Sequence, residues 1–205
     1  METKKMVFTG KANTCHMWTF SLPAKKTCPF AGKCKGFCFA SNGHYLGKDA
    51  VACYNRNFEA SKLAEFPGIM VAQVKEAVRL DSKRGLQTVV RLHDGGDLYS
   101  VAYLLKWIRI SEQCPEVMIY GYTKSHPFFF GLTLPENLYF IPSEGGTRDD
   151  LIMGLPRAKT VPIGYVCGPG EVPGDMDDLR NLSMVRDQRM VLCLEAHGAQ
   201  KSKVQ

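Results

Sequence analysis

The chain of 205 residues is 45% hydrophobic and 22% charged, a composition that suits one folded domain and excludes a disordered or collagen-like chain. It has no apolar run long enough to span a bilayer and no apolar signal segment, so we expect a cytoplasmic protein with no membrane partner. Residues 1–66 hold ten basic and four acidic residues and therefore carry the whole net charge of +6. A basic segment of this kind can attract nucleic acid.

Strand-like and helix-like segments alternate along the chain. Apolar spacing predicts a helix over residues 58–80, interrupted at Pro67. It predicts another helix over 101–111, capped by Ser100 and with Leu105 on its inward face. Runs of β-branched and aromatic residues predict six strands, at residues 17–22, 87–92, 117–122, 137–141, 160–166 and 190–194.

This alternation predicts an α/β fold with a mainly parallel sheet. A complete eight-stranded barrel needs about 250 residues, so six β-α units predict a partial (β/α)6 barrel with an N-terminal cysteine-rich loop. We expect a single domain over residues 1–205. In it, a basic, cysteine-rich segment with the first strand (1–54) precedes the β/α repeats (55–205).

Reactive or glycine-rich residues follow almost every predicted strand at its carboxyl end. In a parallel sheet these ends open on one face, where binding and catalytic sites form. The repeated pattern therefore predicts an active site at that edge of the sheet. Beyond the cysteine-rich segment, the strand-end segments are His93–Asp97, Thr123–His126, Ser143–Gly146, Cys167–Gly170 and Glu195–Gly198.

Three cysteines, Cys28, Cys34 and Cys38, lie within eleven residues of one glycine-containing loop. Because there is no secretion signal, disulfides are not expected, and thiolates at this density favour a soft metal ion or an iron–sulfur cluster. Three ligands would leave one cluster iron open to a small molecule. Two alternatives stay open, namely uncoordinated core cysteines and a closed zinc site. The fourth ligand of a zinc site would be Cys15, His16, His44 or Cys53.

The segment after the strand at 87–92 places two glycines beside carboxylates. Gly95 and Gly96 would let backbone N–H groups approach a ligand, and Asp97 could accept hydrogen bonds from an amine or a ribose. The alternative is a tight turn in which Asp97 caps a helix. Asp94 and His93 are candidate bases or metal ligands, and His93 is equally suited to a place in the core.

The order of these parts resembles the radical SAM superfamily, with a cysteine triad after the first strand, a helix, and a strand that ends in a Gly-Gly-acid turn. Segments at residues 20–24, 28–40, 91–97 and 120–124 are also similar to the phage "gene product 88" family. The superfamily resemblance implies a [4Fe–4S] cluster and S-adenosylmethionine, which such enzymes cleave to a 5′-deoxyadenosyl radical. The family resemblance implies a phage-encoded protein of the host cytoplasm.

The resemblance also implies roles for individual residues. The cluster ligands would be Cys28, Cys34 and Cys38. The cofactor-binding residues would be Gly95, Gly96, Asp97 and Ser143. The catalytic residues would be Asp94, Lys124 and Glu144, of which the last two are equally suited to a solvated surface.

Two other functions fit the same residues. A zinc-stabilised nucleic-acid-binding protein would use the basic segment without catalysis, because aromatic side chains that can stack on bases are interleaved with its lysines. Those aromatic residues are Phe30, Phe37, Phe39 and Tyr45. A base- or nucleoside-modifying transferase would use Asp94 or Asp97 as acid–base catalyst or nucleophile. The substrate and the oligomeric state do not follow from the sequence.

Overall fold

The computed structural model describes residues 7–11, 15–155, 163–166 and 191–194, with side chains over residues 15–155. Its strands are β1 (Val7–Lys11), β2 (Cys15–Phe20), β3 (Gln87–Leu92), β4 (Met118–Thr123), β5 (Leu138–Pro142), β6 (Ile163–Val166) and β7 (Val191–Leu194). Its helices are α1 (Lys48–Lys62), α2 (Phe66–Ser82) and α3 (Val101–Glu112). Short 3-10 turns lie at Lys33–Lys35, Phe39–Ser41, Gly43–Leu46, His126–Phe129 and Asp149–Gly154. In these described ranges no helix is long and apolar enough to cross a membrane.

Four strands form a parallel sheet in chain order, β2-β3-β4-β5, and β1 joins its edge antiparallel to β2. The mixed α/β class and the parallel sheet predicted from the alternation are therefore confirmed. β6 and β7 pair parallel with each other in a second, two-stranded sheet. Within the described residues the larger sheet is open, so closure into a partial six-unit barrel stays a prediction.

Helices α2 and α3 cover one face of the sheet because each has an apolar side. Val74 of α2 and Trp107 of α3 are fully buried in the main hydrophobic core. The Trp107 ring meets the rings of Phe20 and Phe66 edge-on, at centroid distances of 5.4 and 5.7 Å. Ser100 caps α3 as predicted, because its Oγ accepts a hydrogen bond from a backbone N–H in the first turn.

The helix boundaries differ from the prediction. The helical segment expected over 58–80, with an interruption at Pro67, is two helices, but α1 already begins at Lys48 and ends at Lys62, and α2 begins at Phe66. Pro67 lies in the first turn of α2, where a missing N–H breaks no helical hydrogen bond. The prediction that Leu105 lies on the inward face of α3 is wrong, because Leu105 is 40% exposed. It lies about 100° round the helix from its buried neighbour, on the solvent side.

The opposite face of the sheet carries a smaller group of buried side chains, Val89, Tyr120 and Ile141. Strand alternation puts Arg91 and Tyr122 on this same face, near the carboxyl ends of β3 and β4. The Arg91 guanidinium lies 5.9 Å from the centroid of the Tyr122 ring. This face therefore presents a cation and aromatic rings next to the loops that follow the strands.

Candidate functional site

The loops that follow β2, β3, β4 and β5 meet at one edge of the parallel sheet. The backbone N–H of Lys124 donates to the Asp97 carboxylate at 2.8 Å and so joins the loops after β3 and β4. The N–H of Cys34 donates to the carbonyl oxygen of Gly145 at 3.1 Å and so joins the loops after β2 and β5. The structure thus brings four of the predicted segments together. The two further segments, Cys167–Gly170 and Glu195–Gly198, lie outside the described residues.

The turn at Gly95 and Gly96 packs against the chain that leads from β2 into the cysteine loop. Gly96 has a φ of +89°, and a Cβ built on it would lie 2.6 Å from Oγ1 of Thr27 and 2.7 Å from Cβ of Leu22. Only glycine fits both this conformation and this contact. Leu22 also donates its N–H to the carbonyl oxygen of Gly95 at 2.8 Å. The turn therefore fixes the start of the cysteine loop against β3.

The carboxylate of Asp97 is buried and holds two loops together. Its Oδ1 accepts the N–H of Leu98 and the hydroxyl of Thr123, each at 2.7 Å. Its Oδ2 accepts the N–H of Lys124. Burial raises the pKa of Asp97, and these three hydrogen bonds oppose that rise. Asp97 is therefore a structural link between β3 and β4 as well as a candidate ligand.

The cysteine loop docks on the turn after β5 by close backbone contact. A Cβ built on Gly32 would lie 2.9 Å from backbone atoms of Gly146. Asp149 holds this turn in shape, since it accepts the N–H groups of Gly145 and Gly146 at 2.8 and 3.0 Å. Asp149 is not among the site residues predicted from the sequence. The signal for it is an acid three residues after a glycine pair, a spacing that favours side-chain to backbone hydrogen bonds in turns.

Neighbouring charges act on two of the three thiols of the cysteine loop, those of Cys28 and Cys34. Burial is the main cause that raises the pKa of the Cys28 thiol to about 12, and the charge of Asp97 adds to it. Charges on Cys34 and Cys38 act in the same direction. Burial also raises the pKa of Cys34, and the ammonium group of Lys124 opposes that rise. The thiols are thus neighbours beside an acid and a base, and each is partly exposed.

This donor set fits a thiolate-bound metal centre in number and chemistry. Three sulfur ligands suit a soft metal or an iron–sulfur cluster, and bound metal deprotonates a coordinating thiol even where burial raises its pKa. In the described part of the chain, no three Cys, His, Asp or Glu side chains already form a metal-binding group. Binding would therefore require the three thiols to turn toward a common point, which their partial exposure permits.

The candidates for a fourth zinc ligand are spread over several elements. Nδ1 of His16 is hydrogen-bonded to Asp81, and both His16 and Cys15 lie at the start of β2, away from the strand carboxyl ends. His44 is exposed in a 3-10 turn close after the cysteine triad, and Cys53 lies in α1. His44 and Cys53 are therefore the two candidates on elements next to the cysteine loop.

The side chains of His93 and Asp94 point to different surroundings. Tyr45 donates its hydroxyl to Oδ2 of Asp94 at 2.9 Å, and the guanidinium of Arg91 lies 3.5 Å from Oδ1. Nε2 of His93 lies 3.1 Å from the Tyr103 hydroxyl in the core. Burial lowers the pKa of His93 to about 3, so this imidazole is neutral near pH 7. Asp94 belongs to the site edge, whereas His93 belongs to the core.

Lys124, Ser143 and Glu144 occupy different depths at the same edge. The Cε of Lys124 lies 3.7 Å from a Cβ built on Gly145, so its aliphatic chain runs along the turn after β5. Ser143 is buried, and its N–H donates to the carbonyl oxygen of Thr123 at 2.9 Å. Glu144 is exposed. Lys124 and Ser143 therefore lie inside the site and Glu144 on its rim.

The fold and the site define a mixed α/β protein with a cysteine loop at the carboxyl edge of its four-stranded parallel sheet. A family model described as "Gene product 88" matches residues 2–204, so the chain belongs to the gene product 88 family. This match confirms the family resemblance and supports a phage protein. No curated protein and no solved structure matches the chain. No comparison bears on the radical SAM resemblance, which stays a prediction.

Proposed function

We propose that this protein is an iron–sulfur enzyme of radical SAM type in which Cys28, Cys34 and Cys38 bind a [4Fe–4S] cluster. The observation that carries the proposal is the position of three partly exposed cysteines on one loop, which packs between the Gly95–Gly96 turn and the turn after β5 at the carboxyl edge of a parallel sheet. S-adenosylmethionine would supply the radical chemistry when bound, while the protein supplies orientation and excludes water. The proposal includes a partial barrel that β6 and β7 extend, and action in the host cytoplasm.

The proposal gives Asp97 a positioning role and leaves room for one cofactor contact. A carboxylate offers about four acceptor sites, and three are taken by Leu98, Thr123 and Lys124. One site remains for the amino group of a cofactor. The internal bonds hold Asp97 at a fixed place beside the Gly95–Gly96 turn, so that contact would need no rearrangement of the loop.

Lys124 has chemistry that suits the neighbourhood of a negatively charged cluster, and Asp94 has chemistry that suits contact with a substrate. The Lys124 ammonium acts electrostatically on the Cys34 thiol, so it would offset thiolate charge or bind a carboxylate of the cofactor. Asp94, with the Tyr45 hydroxyl on its Oδ2, and the exposed Glu144 would face an entering substrate.

Metal and sulfide analysis of protein produced without oxygen tests the cluster. We expect a brown protein that contains iron and acid-labile sulfide. Cys28→Ser, Cys34→Ser and Cys38→Ser are each expected to lose most of the iron. Cys114→Ala is the matched control, because Cys114 is buried in the main core and should leave the iron content unchanged.

The same preparation separates the alternatives. A colourless protein with stoichiometric zinc would remove the iron–sulfur proposal and favour the zinc-stabilised protein. With iron loaded, chemical reduction in the presence of S-adenosylmethionine is expected to yield methionine and 5′-deoxyadenosine. Iron-loaded protein that yields neither product would overturn the radical SAM assignment. Modification of a base or nucleoside that Asp94→Asn and Asp97→Asn both abolish, in metal-free protein, would favour the transferase instead.

A further inference from the structure

A basic lobe, defined as residues 25–48 between β2 and α1, stands out from the rest of the surface. No acidic residue occurs between Glu2 and Asp49. The lobe carries five exposed lysines: Lys25, Lys26, Lys33, Lys35 and Lys48. Among the described residues none of these lysines forms an ion pair. The Lys26 ammonium lies over the Phe58 ring, 4.7 Å from its centroid, and the charges of the other four lysines are directed at solvent or at a partner.

The aromatic residues of the basic lobe divide into two groups with different surroundings. The Phe30 ring packs edge-on against Phe128, with centroids 5.3 Å apart, and Phe37 lies against the turn after β5. These two rings anchor the lobe to the site edge. Phe39 instead is 47% exposed, and its ring contacts that of Tyr45 at 5.5 Å. The lobe therefore has two rings that fix it to the site edge and a further aromatic group that faces outward.

The outward rings form one connected ring cluster, made of Phe39, Tyr45 and His44. The His44 ring lies on the Tyr45 ring with centroids 4.1 Å apart, and His44 is exposed. The Tyr45 hydroxyl bond to Asp94 fixes the middle ring and places the cluster at the border of the candidate site. The cluster is thus held in place while Phe39 and His44 stay exposed.

We infer that the basic lobe binds a single-stranded nucleic acid, with bases stacked on the ring cluster and phosphates beside the lysines. Exposed aromatic rings combined with lysines are the features that bind single strands without sequence preference. The acid-free charge of the lobe complements a polyanion, whereas the cores of protein–protein interfaces are depleted of lysine. The inference does not depend on what the thiols bind, since no cysteine carries it.

Fluorescence anisotropy with labelled single-stranded oligonucleotides of about 12 nucleotides tests this inference. One arm uses oligo(dT) and the other oligo(U), which decides between DNA and RNA. Phe39→Ala is expected to weaken binding about fivefold or more through the loss of stacking. Phe130→Ala is the matched control, because Phe130 is also 47% exposed but lies outside the lobe, and its dissociation constant should not change.

The salt dependence tests the lysines. The double variant Lys33→Glu/Lys35→Glu is expected to weaken binding and to reduce the slope of log Kd against log salt concentration by about 1.4. Lys75→Glu/Lys83→Glu changes the net charge equally at two exposed positions, one in α2 and one directly after it, and should leave the slope unchanged. Equal weakening by both double variants, salt-independent binding, or no binding of either oligonucleotide would overturn the inference. Colourless protein with stoichiometric zinc that binds the oligonucleotides with this salt dependence would support the inference. The same result would remove the iron–sulfur proposal.

Discussion

Gly96 is the position at which the site tolerates a side chain least. An alanine there would have a strained φ of +89° and a Cβ in contact with Thr27 and Leu22 at under 3 Å. We expect Gly96→Ala to reduce the free energy of unfolding by about 3 kcal/mol. Gly85→Ala is the control, because Gly85 has a φ of +66° and nothing within 4 Å, so only the backbone strain of about 1 kcal/mol applies. Urea unfolding measures both, and equal losses would contradict the close contact.

His93 makes folding stability depend on pH. Its folded pKa of about 3 lies below its ordinary value of 6.5, so the unfolded chain binds a proton that the folded chain does not. The contribution of His93 to the free energy of unfolding is therefore fully present above pH 6.5. As the pH falls from 6.5 toward 3, the free energy of unfolding decreases by up to about 1.4 kcal/mol per pH unit. We expect His93→Gln to lose this part of the pH dependence.

The measurement for His93 is urea unfolding of both proteins at several pH values, because the difference between them isolates this imidazole from the carboxyl groups. His44→Gln serves as the control, since His44 is exposed and should leave the pH dependence unchanged. Parallel pH profiles for the parent protein and His93→Gln would contradict the assignment of His93 to the core.

Asp97 shows what residue types reveal about a site and what they omit. The Gly-Gly-Asp pattern after β3 is visible in the sequence, and it correctly indicates a turn at a strand end. The carboxylate's partner Thr123, however, lies 26 residues away on β4. Such a contact depends on strand order, which local spacing does not specify. For this reason, the link that Asp97 makes to β4 could not be predicted from the sequence.

At the scale of elements, Asp81 ties α2 to β2 and β3. It is fully buried, and its Oδ2 accepts hydrogen bonds from Trp18 Nε1 and Thr88 Oγ1, each at 2.8 Å. Its Oδ1 is bonded to Nδ1 of His16. Burial alone would raise the pKa of Asp81, but these three hydrogen bonds outweigh burial and lower it. The ionised carboxylate is therefore the form that holds these elements together.

We expect Asp81→Asn to reduce the free energy of unfolding by about 2 to 4 kcal/mol, because the amide nitrogen would face a donor inside the core. Since the folded pKa of Asp81 lies below its ordinary value of 3.8, the stability it contributes is present above that pH and lost below it. Urea unfolding near pH 7 measures the effect. Asp150→Asn removes only an exposed ion pair with Arg148 and should leave the midpoint unchanged. A similar midpoint for both variants would contradict the role of Asp81.

The elements that sequence patterns predict well are those with a strong apolar signal. β3 lies at Gln87–Leu92 as predicted, because its β-branched residues are buried. α1 was only partly predicted, since this helix, which the structure describes from end to end, buries only Ser61. The pattern did not indicate β1 either, a short edge strand that includes Gly10. In α1, weak burial leaves a weak periodic signal.

At the scale of the whole molecule, the site depends on contact between the loops of the first and last parallel strands. β2 and β5 are separated by two strands in the sheet, yet the cysteine loop after β2 reaches the turn after β5. The convergence of strand ends was predictable from the parallel order. The direct contact between these two loops was not predictable from that order. It depends on two glycines, whose lack of a side chain lets the two backbones touch.

Gly32→Ala tests whether this docking organises the thiols. Its Cβ would lie 2.9 Å from the backbone of Gly146, so the loop must move away and carry Cys34 with it. We expect the variant to keep the circular dichroism of the parent protein but to bind much less iron after anaerobic reconstitution. Gly36→Ala is the control in the same loop, because its Cβ would be 3.4 Å from the nearest atom and should leave iron binding unchanged. Full iron content in Gly32→Ala would mean that the three sulfur atoms assemble a centre without support from β5.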